Sequence, residues 1–178
     1  MGGVVASLVS ILALSSAAEA ITFTSPTGPY NIPDEDATGV TASINISGQP
    51  NIASFNSVTI SGFAHTFYSD LRASLSNGTT TVQLFRSQSD GAGFTNDGSI
   101  GDVGSNDLSG NYTFATTGDN WYNHSSSIVP SAPTYASFQS LSAFNGSSLN
   151  GTWTLRVEDR LFREEGSFSS FSIDVTPV

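Results

Sequence analysis

The sequence predicts an all-β sandwich in a single domain, and three observations carry that prediction. Apolar residues alternate with polar ones in several short runs, Gly, Asn, Asp and Ser punctuate the gaps between them, and no stretch after residue 20 holds a helical period for three turns. Short strands joined by such turns close most readily into two packed sheets. Only Tyr135 to Phe144 carries a pattern that suits a short helix.

The N-terminus precedes the fold and is set apart from it. Val4 to Leu14 is an apolar run of eleven residues, short of the roughly 20 that a membrane-spanning helix needs. Ala18-Glu19-Ala20 then has the small-x-small form that signal peptidase cleaves. Residues 1–20 are therefore expected to be a signal peptide, although Met1-Gly2-Gly3 lacks the usual positive charge, and residues 21–178 the secreted domain.

Within that domain the strands follow in order. Val40, Ala42, Ile44 and Ile46 make the first clear alternation, and Val58 and Ile60 the second. Asn77-Gly78 lies between two alternating runs and predicts a two-residue hairpin loop, since such a turn needs positive φ at both positions. That loop would pair Ser76 with Thr79, Leu75 with Thr80, Ala73 with Val82 and Leu71 with Leu84, placing the apolar members on one face. Residues 86–130 break the rhythm and are expected to be a long decorated loop, rich in glycine and carrying Asp90, Asp97, Asp102 and Asp107. Trp153, Leu155 and Val157, then Phe171, Ile173 and Val175, complete the strands, with Trp153 expected in the core because its face continues through Leu155 and Val157.

Composition excludes several classes of function. The 178 residues include 15 Asp and Glu against 5 Arg and no Lys, a formal charge of −10, which repels nucleic acid phosphates. With no cysteine, there is no disulfide framework, thiolate metal site or cysteine nucleophile. The uncharged polar composition, with 11% charged residues, suits an extracellular β protein. Asn-x-Ser/Thr acceptors stand at Asn45, Asn77, Asn111, Asn123, Asn145 and Asn150.

Four blocks carry a resemblance. Ile32-Pro33-Asp34, His65-Thr66-Phe67-Tyr68-Ser69-Asp70-Leu71, Leu141-Ser142-Ala143-Phe144-Asn145-Gly146 and Asn150-Gly151-Thr152-Trp153-Thr154-Leu155 occur in that order. Together they resemble the P domain, or P/Homo B domain, that follows the catalytic domain of proprotein convertases and related subtilisin-like proteases. The chain departs from the pattern at Glu164-Glu165-Gly166, where the family tends to read Gly-Asp-x-Gly, and at Phe171, where tryptophan is common. The resemblance implies a jelly-roll-like, galactose-binding-like β sandwich without catalytic residues. It also implies a subtilisin-like protease domain as partner, and His65, Asp70, Asn145, Gly146, Gly151 and Trp153 as structural motif residues.

Chemistry beyond that role has few candidates. A serine hydrolase needs an imidazole base held by a carboxylate beside a nucleophile. Only His65 and His124 are available, and no glycine-flanked serine of the nucleophile-elbow type lies near His124. Glu158 and Asp159, or Glu164 and Glu165, are adjacent; on a strand such neighbours face opposite ways and cannot share a glycosidase cleft. Asp90, Asp97 and Asp102, helped by Asn96 and Asn106, are candidate calcium ligands in a glycine-rich loop, set against a simple solvated acidic surface. The alternative to a protease accessory is a free-standing extracellular module that binds a cell surface or carbohydrate.

Overall fold

The computed structural model describes residues 18–87, 90, 107–122, 128–131 and 134–178. Among the described residues eleven strands run in order: β1 (Ile21–Thr24), β2 (Tyr30–Ile32), β3 (Asp36–Ile46), β4 (Ile52–His65), β5 (Leu71–Ser76), β6 (Thr81–Phe85), β7 (Leu108–Ala115), β8 (Thr134–Ala136), β9 (Gly151–Asp159), β10 (Gly166–Phe168) and β11 (Ser170–Pro177). Short 3₁₀ turns occupy Tyr68–Asp70 and Leu141–Phe144. Among the described residues no helix is long and apolar enough to cross a membrane.

These strands form two sheets, and the fold is an all-β sandwich. The larger is built around β4, which pairs antiparallel with β10 and β11 on one side and with β7 on the other. Beyond them lie β2 and β1 on the first side, and β8, parallel to β7, on the second. The smaller sheet has the order β3-β9-β5-β6. The chain changes sheet after β2, β3, β4, β6, β8 and β9, so both layers are interleaved in sequence. Inward residues of both sheets fill the space between them: Ile44 on β3, Val58 and Ile60 on β4, Leu155 and Val157 on β9, and Ile173 on β11 are all buried. Trp153 is wholly buried against Phe55 and Phe144, with ring centroids 5.4 and 5.0 Å away, and its Nε1–H donates to the Leu149 carbonyl at 2.9 Å.

β4 carries a bulge where it pairs with β7. Between Ile60 and Phe63 its register with β7 slips, and the spare residue is taken up at Gly62, whose φ of +60° a side chain would resist. A Cβ there would also lie 2.3 Å from Ser169 Oγ, while the Gly62 N–H donates to Asn111 Oδ1 at 2.8 Å. Asn145 treats the next bulge alike, accepting the Phe55 N–H at 2.8 Å.

Three local expectations are corrected. The β5–β6 loop has four residues, so Ser76 pairs with Thr81, Leu75 with Val82 and Ser74 with Gln83, and a bulge then sets Ala73 opposite Phe85. The cause is the Asn77 side chain, whose Oδ1 accepts the N–H groups of Thr79 and Thr80 and so closes a wider turn than the backbone alone would. Because the first pairs slip by two residues, the apolar faces survive. Tyr135 to Phe144 forms no helix: Tyr135 is drawn into the parallel pair with β7, leaving one 3₁₀ turn that buries Leu141 and Phe144. Within 86–130, Leu108, Tyr112 and Phe114 point inward from a true strand, and Trp121 and Tyr122 are buried.

Candidate functional site

At one end of the sandwich the two sheets are joined by polar side chains instead of apolar ones. The inward phase of β4 ends on His65, and that of β9 passes Trp153, Leu155 and Val157 to end on Asp159. His65 Nε2 and Asp159 Oδ2 lie 3.0 Å apart, and neither side chain has any exposed surface. The Phe67 N–H donates to His65 Nδ1 at 3.0 Å. Since Nδ1 accepts, the neutral ring carries its proton on Nε2 and donates it to Asp159. The other carboxylate oxygen, Oδ1, accepts the Leu161 N–H at 3.2 Å. Gly166, opposite His65 on β10, is required here, because a Cβ would lie 2.5 Å from both the Ala64 carbonyl oxygen and His65 Cδ2.

The surrounding residues hold this pair in place. Tyr68, Ser69 and Asp70 form a buried 3₁₀ turn directly after it, and the Asp70 carbonyl accepts the Arg160 N–H at 3.0 Å. Glu158 faces away from Asp159, its carboxylate gripped by Arg156 and Arg160 at 3.0 Å each. The two adjacent carboxylates thus serve separate faces of β9. With both ring nitrogens engaged, His65 offers no lone pair to a nucleophile or a metal ion.

Beside this pair a hollow of about 850 Å³ opens where β2, β4, β7 and β10 run together. Its walls include apolar Ile32, Pro33, Leu108 and Ile128 and the exposed carboxyl groups of Asp34, Asp107 and Glu165. Asp34 Oδ1 is already used, accepting the Arg163 N–H at 3.0 Å. Among the described residues no three His, Asp or Glu side chains gather closely enough to hold a metal ion. The hollow suits a ligand with an apolar body and a hydrogen-bond donor or positive charge.

The other predicted residues fall in different places. Asn145 and Gly146 lie beside β4, the Gly146 N–H donating to the Ile52 carbonyl at 2.7 Å, and Gly151 opens β9 opposite Ile46. Of the calcium candidates, Asp97 and Asp102, like Asn96 and Asn106, lie outside the described residues, as does His124. Asp90 is placed: Arg72 and Arg86 lie 3.5 and 3.7 Å from its carboxylate, which also accepts the Ser87 N–H at 3.2 Å. A cation there would have to displace two guanidinium groups.

Sequence reasoning did not pair Asp159 with His65. The signal was present in the phase of β9: an aspartate at the next inward position after Trp153, Leu155 and Val157 requires a buried partner. His65 was harder to place in phase because the bulge at Gly62 shifts the alternation of β4.

No protein-family model matches the chain, and no curated protein matches it. Among solved structures it is similar to the serine protease of Aeromonas sobria, both by itself and in complex with its chaperone. Both comparisons give a TM-score of 0.50 at 13% identity, covering 93% of this chain in the protease alone and 90% in the complex. The chain spans only 28% and 27% of those longer chains. At that identity the likeness is one of fold.

Proposed function

We propose that residues 21–178 are a secreted, non-catalytic module of the P/Homo B type that packs on a subtilisin-like serine endopeptidase and stabilises it. The observation that carries this reading is the part-to-whole match: nearly all of this chain overlays about a quarter of a serine protease chain, as a module appended to a catalytic domain would. The His65 environment supports the non-catalytic half of the reading. Its Nδ1 is occupied by a backbone N–H and its Nε2–H by a buried carboxylate, so the ring works as a strut between sheets.

Incubating the purified domain with casein and with a serine-directed phosphonate tests this reading. The predicted result is neither hydrolysis nor labelling. Labelling of one serine that disappears in His65→Ala would overturn it.

A further inference from the structure

The sequence contains three Asn-Gly pairs, Asn77-Gly78, Asn145-Gly146 and Asn150-Gly151, and the fold treats them differently. The geometry points to Asn77-Gly78 as a site of self-modification, where the side-chain amide is converted to an isoaspartyl or aspartyl linkage by the protein's own backbone.

The reaction has two steps. The Gly78 backbone nitrogen loses its proton and bonds to Asn77 Cγ; the Cγ–Nδ2 bond breaks, ammonia leaves and a succinimide ring remains. Water then adds to one of the two ring carbonyls. Opening at the backbone carbonyl leaves isoaspartate, and opening at Cγ leaves aspartate. The requirements are a side chain folded toward its own following backbone, stabilisation of the oxyanion that forms on Oδ1, and an acceptor for the Gly78 proton.

Asn77 meets each requirement. Its Oδ1 is turned along its own chain and accepts two backbone N–H groups, Thr79 at 3.1 Å and Thr80 at 2.8 Å, which are placed to stabilise negative charge on that oxygen. The Gly78 N–H already donates to Ser76 Oγ at 3.1 Å, which polarises it for removal by solvent hydroxide, the base that takes the proton. Gly78 is exposed, which admits water.

Both residues of the other two pairs are exposed, whereas Asn77 is half-buried, so solvent access does not favour Asn77. Hydrogen bonding does. Asn145 directs Oδ1 away from its own backbone to the Phe55 N–H, and the Gly146 nitrogen is committed to the Ile52 carbonyl. Asn150 is clamped to Gln49 in both directions, accepting its N–H at 2.8 Å and donating Nδ2 to its carbonyl at 2.6 Å. That short bond fixes the leaving amide in place, whereas Asn77 Nδ2 makes a long contact of 3.4 Å to Ser147 Oγ.

The arginines simplify the test. Trypsin cuts after Arg72 and Arg86, so Asn77 is the sole asparagine of its peptide, while Asn145 and Asn150 fall together in the peptide from Ser87 to Arg156. The domain is aged at physiological temperature and mildly alkaline pH, folded and in concentrated urea. Conversion is followed by peptide mass and by isoaspartyl methyltransferase labelling, with peptide fragmentation assigning Asn145 and Asn150 among the seven asparagines of theirs. In urea all three sites should convert at comparable rates. In the folded protein Asn77 should convert at least as fast as in urea, while Asn145 and Asn150 slow severalfold or more, and Ser76→Ala should slow Asn77 alone. Folding that protects Asn77 as strongly as Asn145, or an unchanged Asn77 rate in Ser76→Ala, would overturn the proposal.

Discussion

Replacing His65 with leucine removes the side chain that donates to Asp159 Oδ2 and leaves a carboxylate with no exposed surface, whose Oδ1 accepts the Leu161 N–H at 3.2 Å. Removing the donor from a buried carboxylate costs about 1–3 kcal/mol or more, because the acceptor keeps its desolvation penalty without its partner. Asp159→Leu leaves the His65 Nε2–H equally stranded, at about 1–3 kcal/mol for a neutral donor. Against a domain stability of about 5–15 kcal/mol either change is large. The double variant leaves neither a charge nor a ring donor between the sheets, so its cost should fall below the sum of the singles by a coupling energy near the top of the usual range of about 0.5–3 kcal/mol. Equilibrium unfolding in urea reads all four proteins, and Trp121 and Trp153, both buried, provide the fluorescence signal. Singles that add to within about 0.5 kcal/mol, or a His65→Leu loss below about 1 kcal/mol, typical of surface sites, would refute the cross-sheet bond.

Trp153→Ala should cost about 3–5 kcal/mol by emptying the space between Phe55 and Phe144; a loss below about 1 kcal/mol in the same urea assay would remove Trp153 from the core. Burial raises the phenol pKa of Tyr112 and Tyr122 and, helped by Tyr112 and Asp119, pushes Tyr135 up to about 12. A raised folded-state pKa gives stability that is complete below the unfolded value of 10.0 and is lost as pH rises through the folded one. Alkaline titration should therefore show these three of the five tyrosines ionising together with unfolding, and their ionisation in a still-folded protein would contradict the burial argument. With Asp90 engaged by Arg72 and Arg86, thermal melts in EDTA, calcium and magnesium should coincide; a rise specific to calcium would restore Asp90, Asp97 and Asp102 as a ligand set.

Much of the sandwich was legible because burial on one face imposes period two. Val40 to Ile46, Val58 and Ile60, Trp153 to Val157 and Phe171 to Val175 all lie in strands with those residues facing inward. Departures arose where side chains settled the backbone path. Asn77 widened its own turn, and Gly62 and Asn111 absorbed a bulge that shifts the inward phase of β4. Strands as short as β2, β8 and β10 carry too few residues to display any period. The site was half legible: His65 stood out in its motif, but its partner lies 94 residues away on the other sheet, a distance that local pattern does not span.

The proposed role is tested most directly by adding the domain to a subtilisin-like protease catalytic domain from the same source and following the melting temperature of the protease. A bound partner stabilises as its concentration passes the dissociation constant. The account predicts a saturable, concentration-dependent rise. An unchanged melting temperature at saturating concentrations of the folded domain would contradict it.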